Sequence, residues 1–105
     1  MTDTEFGLPA EGLSRIRAVL SRCAHIDQAI LYGSRAMGRE RPGSDIDLTL
    51  TGSRLEQADI DRLNWQLDDL LLPWQFDLSI YQHIDNPELR AHIDRVGKVL
   101  YQKPK

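Results

Sequence analysis

Residues 28–51 read QAILYGSRAMGRERPGSDIDLTLT, two strand-like segments on either side of a loop rich in glycine and serine. Residues 28–32 form a short apolar run that ends at Gly33, which is typical of a buried strand. Residues 45–51 alternate apolar and polar side chains, as a strand with one buried face does. The loop, residues 33–44, contains three glycines, one proline and two serines. We therefore expect two strands of one sheet joined by an irregular loop.

The alternation places Asp45 and Asp47 on the same face of their strand, and Asp77 lies in a second alternating segment, residues 75–81. If the two strands are neighbours in register, the three carboxylates meet on one patch of the sheet. Like charges at that spacing raise one another's pKa values, and a divalent cation resolves the conflict. Oxygen ligands suit Mg²⁺ or Mn²⁺ rather than zinc. The solvated face of an amphipathic sheet explains one isolated Asp, but it explains less well a pair directly after a Gly-Ser loop.

The loop has the composition of an anion site. Gly33 permits a tight turn with close approach of a ligand to the backbone, and Ser34 adds a hydroxyl donor. The charge balance of the loop is positive, because three arginines stand against one glutamate: Arg35, Arg39, Arg41 and Glu40. A triphosphate would fit here, with a cation between its phosphates and the Asp pair. The alternative is an ordinary arginine-rich surface loop.

Helical patterns flank these strands. Apolar residues recur at helical spacing from about residue 11 to Cys23, and again over residues 54–72 before Pro73. Asn86-Pro87 is typical of a capped helix start, and that helix should end near Gly97. The predicted order is α-β-β-α-β-α, an α/β or α+β fold with a small sheet of about three strands flanked by helices. Residues 1–105 should form a single domain, in which residues 1–10 are a loose lead-in.

Composition excludes several functional classes. The chain has 105 residues and a net charge of −3, which argues against stable nucleic-acid binding. One cysteine excludes an internal disulfide framework and a cysteine-based zinc site. No apolar run approaches the roughly 20 residues of a membrane span, and the acidic N-terminus does not resemble a secretory signal. We therefore expect a cytoplasmic protein without membrane contact, whose site is an open cleft.

The predicted second helix has an acidic outer face. Residues 55–72 hold five acids against one arginine, and four residues fall on a stripe away from the predicted core: Asp61, Trp65, Asp68 and Leu72. This stripe could dock a basic partner. The simpler interpretation is a solvated helix face with one exposed tryptophan. Trp74 is expected to be a packing residue. The histidines His25, His83 and His92 have no metal-ligand spacing and are expected to lie at the surface or to be hydrogen-bonded.

The sequence resembles the signature of the DNA polymerase β-type nucleotidyltransferase superfamily. The signature residues are Leu-Tyr-Gly33-Ser34, followed after ten residues by Asp45-Ile-Asp47-Leu. The segments GSRAMGRERPGSDIDL and QFDLSIYQHIDNPELRAHIDRVGKVLY are similar to its minimal nucleotidyltransferase (MNT) branch. The resemblance covers roughly residues 11–101. It implies a mixed-sheet core and two Mg²⁺ ions, which Mn²⁺ can replace. It also implies transfer of a nucleoside monophosphate to a hydroxyl, with AMP from ATP as the expected case.

The resemblance also implies roles for individual residues. Asp45 and Asp47 match the metal-ligand pair. Asp77 matches the third carboxylate, which binds the second metal and can deprotonate the acceptor. The sequence departs from the family at Met37, where a basic residue is common and for which Arg39 can substitute. Six residues would surround the nucleotide: Gly33, Ser34, Arg35, Arg39, Arg41 and Ser44.

The MNT branch is often encoded beside HEPN-domain ribonuclease toxins, which an MNT protein can silence by transferring AMP to a tyrosine. The resemblance therefore implies an antitoxin that adenylylates a HEPN toxin. Two alternatives stay open: an antitoxin that acts by contact with a vestigial site, and a transferase acting on a small-molecule hydroxyl. The three intact acids favour the enzyme over the contact antitoxin. A chain of this size has little room for a second, substrate-binding lobe, which disfavours the small-molecule enzyme.

Overall fold

The structure is a computed structural model and describes residues 4–41 and 43–104. Within those residues it contains three helices, six strands and one short 3-10 turn, Tyr81–His83. The helices are α1 (Ala10–Ser21), α2 (Gln57–Asp68) and α3 (Pro87–Val96). The strands are β1 (Thr4–Glu5), β2 (Leu8–Pro9), β3 (Gln28–Tyr32), β4 (Ile46–Thr51), β5 (Phe76–Ile80) and β6 (Lys98–Gln102). No helix among the described residues is both long enough and apolar enough to cross a membrane.

The main sheet has the strand order β5-β4-β3-β6. Strands β4 and β5 are parallel, and the other two pairs are antiparallel, so the sheet is mixed. Helix α2 connects the parallel pair, as a parallel connection requires a crossover. The predicted α/β fold with a small mixed sheet is confirmed, but the sheet has four strands rather than about three.

The additional strand, β6, follows α3 with only Gly97 between them. A Cβ atom at residue 97 would overlap the carbonyl oxygen of Ile93 and crowd the side chain of Ile30. Glycine therefore lets the chain reverse against β3 without a longer loop. The short β6 segment gave no strand signal in the sequence, because Leu100 is its only fully buried side chain.

One face of the sheet is apolar and carries the core. Ile46, Leu48 and Leu50 of β4 are completely buried there. They belong to one cluster with apolar residues of α1 and α2: Leu13, Ile16, Leu20, Ile60, Leu63 and Leu67. The opposite face is polar at β4 and β5, and α3 packs on it beside β3. The side chain of Asn86 caps α3 as predicted, accepting hydrogen bonds from the N–H groups of Glu88 and Leu89.

Residues 4–9 form a hairpin of β1 and β2 where the sequence suggested only a loose lead-in. Leu8 in this hairpin is completely buried in the core. The turn between the strands places Phe6 and Gly7 at positive φ angles of 59° and 73°. Residues 1–3, which complete the expected lead-in, lie outside the described part of the chain.

The start of α2 is fixed by a buried acid. Asp59 is only 5% exposed and accepts hydrogen bonds from the N–H of Glu56 and from Nδ1 of His25, both at 3.0 Å. The hydrogen bond from His25 holds the pKa of Asp59 below its ordinary value, even though burial acts in the opposite direction. Asp59 therefore ties the helix to the segment after α1, unlike the exposed acids of the same helix.

We expect Asp59→Ala to lower the free energy of unfolding by about 1–2 kcal/mol at pH 7, because the helix loses its capping carboxylate. Since the pKa of Asp59 is lowered in the fold, its stabilising effect is present at neutral pH and is lost as the pH falls through the folded-state pKa. Urea unfolding at neutral and acidic pH measures this. Asp61→Ala, on the exposed face of the same helix, is the control and should change little. Equal losses in the two variants would contradict the assignment.

Candidate functional site

Asp47 and Asp77 are register partners on the parallel strands β4 and β5. Residues paired in this way lie on the same face of the sheet, one strand spacing of about 4.8 Å apart. Asp45 directly precedes β4 and is exposed. Asp47 is half-buried, and Asp77 is exposed on the edge strand. The structure thus places two of the predicted carboxylates side by side, with the third at the start of β4.

The electrostatics of Asp47 reflect this crowding. Burial raises its pKa above the ordinary value, and the negative charges of Asp77 and Asp45 raise it further. His92 acts in the opposite direction. The ionised form of Asp47 is therefore disfavoured in the protein alone, and a cation between the carboxylates would relieve this cost.

The donor set fits Mg²⁺ but does not form a complete metal cage. Among the residues that the structure describes, no three histidine, cysteine or acidic side chains converge closely enough to hold a metal ion. Mg²⁺ is usually held by one or two carboxylates, with water and substrate phosphates completing its shell. The register pair Asp47 and Asp77 supplies carboxylates of this kind, and Asp45 is close enough to influence Asp47. The residues therefore suit a cation that arrives with a triphosphate.

Gly33 brings the loop against the carboxylate pair. It has a φ angle of +76°, and a Cβ atom at this position would overlap the carboxylate of Asp47. Its N–H donates a hydrogen bond of 3.3 Å to Nε2 of His92. Only glycine meets both the conformational and the steric requirement, so the turn after β3 and the carboxylate of β4 are built as one unit.

His92 is part of the site, although its spacing in the sequence gave no functional signal. It lies on α3, and its ring packs edge-on against Tyr32 with a centroid distance of 6.3 Å. Tyr32 is the antiparallel register partner of Asp47, and burial raises the pKa of its hydroxyl. Of the two expected alternatives, surface exposure or a hydrogen bond, the structure shows the hydrogen bond for His92, and its position next to Gly33 follows from the packing of α3 on β3.

The rest of the loop folds into consecutive turns. The N–H of Met37 donates to the carbonyl of Gly33 at 3.2 Å, and the N–H of Arg39 donates to the carbonyl of Ser34 at 2.8 Å. Ser34 is half-buried within these turns, whereas the Arg39 side chain is exposed. The loop therefore stays folded beside the carboxylates, with a cationic side chain on its outer surface.

Ser44 organises the turn that leads into the Asp pair. Its hydroxyl oxygen accepts a hydrogen bond of 2.8 Å from the N–H of Arg41, and its own N–H donates to the carbonyl of Arg41 at 2.9 Å. The Arg41 side chain is exposed. In this structure Ser44 shapes the backbone before Asp45, and Arg39 and Arg41 offer the accessible positive charges of the loop.

Arg35 is not brought to the open site. It is only 3% exposed, and its guanidinium donates to the carbonyl oxygens of Ser44 at 2.9 Å and of Phe6 at 3.2 Å. The group also lies 5.7 Å from the ring centre of Trp74, which agrees with the expected packing role of that residue. Burial lowers the pKa of Arg35. The sequence predicted that Arg35 contacts phosphate, but its guanidinium instead donates to backbone carbonyl oxygens. Some of these acceptors belong to the N-terminal hairpin, which the sequence did not reveal.

We expect Arg35→Ala to lower the free energy of unfolding by about 2–3 kcal/mol, because the buried guanidinium is lost and the carbonyl oxygens of Phe6, Gly7 and Ser44 lose their charged donor. Arg39→Ala should change it by less than about 0.5 kcal/mol, since that side chain is exposed. Urea unfolding of both variants checks the difference. Similar small losses would show that Arg35 does not hold the hairpin to the loop.

The family model for "Polymerase beta, Nucleotidyltransferase" matches residues 14–105 of the chain. The match includes the turn at Gly33 and all three carboxylates. No curated protein has a significant sequence match to the chain.

Three solved structures illustrate the fold similarity. A toxin–antitoxin complex with AMP-PNP has a chain that is 22% identical, with a TM-score of 0.71 over 87% of this chain and 73% of that one. A complex of tri-AMPylated Shewanella oneidensis HEPN toxin with MNT antitoxin gives 18% identity and a TM-score of 0.64, over 89% and 71% of the two chains. A chain assigned as a minimal nucleotidyltransferase is 29% identical, with a TM-score of 0.64 over 93% and 98%.

Proposed function

The chain belongs to the polymerase β nucleotidyltransferase family, and from this premise we propose that it transfers AMP from ATP to a hydroxyl group of a partner protein with the help of Mg²⁺. The observation that carries the proposal is the register pairing of Asp47 with Asp77 beside the turn at Gly33. Parallel strands hold two carboxylates together at a backbone turn with a cationic loop next to it. This arrangement suits a metal-bound triphosphate.

In this proposal, the loop positions the nucleotide. Gly33 and Ser34 form the turn along which the phosphates lie, and the exposed Arg39 and Arg41 contribute positive charge near them. Asp45, Asp47 and Asp77 would hold the cations. When bound, Mg²⁺ neutralises the charge on the triphosphate and on the pyrophosphate leaving group, and it lowers the pKa of the acceptor hydroxyl.

The chain's own residues then orient the reacting groups. The acceptor oxygen attacks the α-phosphorus of ATP in line, and the bond from that phosphorus to the bridging oxygen of the β-phosphate breaks. The hydroxyl proton passes to Asp77, and pyrophosphate leaves. Asp77 is suited to this role because it is exposed on an edge strand, where an acceptor can approach.

We propose a HEPN-domain toxin as the acceptor protein. The proposal is supported by the fold similarity to antitoxin chains solved with toxins, one of which is tri-AMPylated. The solved complex with AMP-PNP supports an adenine nucleotide as the donor. Asp77 is exposed on the edge strand of the sheet, which suits an acceptor presented by another protein. We place the reaction in the cytoplasm, where the lone Cys23 would stay reduced.

Replacing Asp47 with asparagine should separate catalysis from folding. We expect Asp47→Asn to reduce transfer at least about 100-fold, because a ligand for the cation is lost. Since burial and like charge raise the pKa of Asp47, its ionised form destabilises the metal-free protein at neutral pH, and the variant should have a higher Tm there. Transfer of label from ATP labelled on the α-phosphate measures the first effect, and thermal unfolding without Mg·ATP measures the second, with Asp27→Asn at the far end of β3 as the matched control. A lower Tm with unchanged transfer would contradict the assignment.

The reaction itself is tested with ATP labelled on the α- or the γ-phosphate, incubated with Mg²⁺ and a lysate of the source cells. Label from the α-phosphate only, on a protein band that is absent with Asp47→Asn, supports nucleotidyl transfer and identifies the acceptor. Absence of α-label together with absence of Mg·ATP binding in calorimetry would overturn the enzyme and favour an antitoxin that acts by contact. Label on a small molecule instead of a protein would favour the third alternative.

A further inference from the structure

An open groove of about 520 Å³ lies between α2 and the start of β5. We call it the α2–β5 groove. Its apolar lining includes Trp65, Leu72, Trp74 and Phe76, and its acidic lining includes Asp61 and Asp68. The stripe of helix residues that the sequence placed away from the core therefore forms one wall of a concave surface.

Of the two most exposed large apolar side chains of the described residues, one lines this groove and the other directly precedes a lining residue in the chain. Trp65 on its wall is 73% exposed, and Leu71, next to the lining residue Leu72, is 89% exposed. An exposed aromatic side chain on the wall of an apolar groove is typical of a protein-binding surface. A single exposed tryptophan on a solvated helix would not require this apolar surrounding.

Leu71 is also unfavourable for the backbone. Its φ angle is +56°, in the left-handed region that L-residues other than glycine rarely occupy. The position follows the end of α2, where glycine commonly terminates a helix in this conformation. A leucine that is both exposed and in a left-handed conformation does not stabilise the fold, so packing does not explain why the position holds a leucine.

The charge around the groove selects the kind of partner. Asp61 and Asp68 are exposed on its rim, and Asp69 follows directly at the end of α2. The positive side chains nearby face other groups: Arg62 lies 3.9 Å from Asp59, and Arg15 donates to the carbonyl of Leu70 at 2.9 Å. An apolar floor with an acidic rim is complementary to a segment that carries apolar and basic side chains.

The groove lies at the same end of the sheet as the carboxylates. Phe76 lines the groove, and the next residue, Asp77, projects from the opposite face of β5. Because β5 is an edge strand, a partner seated in the groove reaches the face of Asp77 around a single strand. Trp74 connects the groove to the loop, since its ring lies beneath the buried guanidinium of Arg35.

We propose that the α2–β5 groove docks a basic, apolar segment of the acceptor protein and so presents that protein's hydroxyl to Asp77. This inference rests on the proposed function, because it concerns the partner of the same site. Docking in the groove, outside the carboxylate cluster, lets the acceptor protein bind this chain more tightly than contacts at the small open site alone would allow. The interaction should weaken with salt, as expected for a charged rim.

The first test uses synthetic peptides. A fluorescent 15-residue helical peptide of arginine and leucine, and its counterpart with glutamate in place of arginine, are titrated with the full chain at low and high salt. We expect the arginine peptide alone to bind, and Trp65→Ala to weaken its binding about tenfold or more. Asp61→Lys should weaken it as well, whereas Asp27→Lys, the same change at the far end of the sheet, should not. Equal binding of both peptides would overturn the inference.

The variant Leu71→Gly tests whether weaker peptide binding results from loss of folding. Glycine fits the left-handed backbone, so we expect this variant to raise the Tm by about 4 °C and yet to bind the arginine peptide several-fold more weakly. A higher Tm with unchanged peptide binding would show that Leu71 does not contribute to docking, and together with unchanged binding by Trp65→Ala it would overturn the groove as a docking site.

Transfer to the acceptor protein distinguishes this inference from the proposed function. Groove variants should bind Mg·ATP like the wild type but label the acceptor protein more slowly. Normal labelling by Trp65→Ala and Leu71→Gly would overturn the docking role and leave the enzyme intact. A wild-type chain that binds the arginine peptide but neither binds Mg·ATP nor transfers label would overturn the proposed function, and with it the delivery of a hydroxyl to Asp77.

Discussion

The parallel pairing of β4 with β5 forces two carboxylates together, and the rest of the molecule has to compensate for it. Asp47 and Asp77 face each other across the pair, and both burial and like charge disfavour the ionised form of Asp47. On the other face of the same strand, Ile46 and Leu48 are completely buried. Burial of each such side chain contributes about 1.5–3 kcal/mol, which offsets the repulsion between the two carboxylates. Packing of the core therefore holds the carboxylates together despite their mutual repulsion.

The loop beside the carboxylates is held by a buried arginine side chain. Arg35 joins the N-terminal hairpin, the backbone before Asp45 and the ring of Trp74 through one buried guanidinium. Arg39 and Arg41 remain at the surface of the same loop. Residues of one chemical type, within seven positions, thus divide into a structural group and an accessible one. Arg35 is buried because its guanidinium reaches backbone carbonyl oxygens, whereas Arg39 and Arg41 do not become buried. The charges of the neighbouring residues in the sequence do not distinguish the three arginines.

The strands and helices with strong periodicity were predictable, and the exceptions have physical reasons. Alternation over residues 45–51 gave the face of Asp47, and Asn86-Pro87 gave the start of α3. The hairpin of β1 and β2 has strands of two residues, too short for any period. The places of Arg35 and His92 depend on contacts with distant segments, through the carbonyl of Phe6 and the N–H of Gly33. Such contacts arise only when the elements pack.

The close approach of Gly33 to Asp47 makes two positions, fourteen residues apart in the chain, into one unit of variation. Any side chain at residue 33 would have to displace the carboxylate beside it. The turn after β3 therefore cannot be remodelled without moving the acid on β4, and a change on β4 cannot be accommodated by a bulkier turn. Anyone redesigning this loop for a different ligand must vary its outer part, residues 37–41, and leave the junction with the strand untouched.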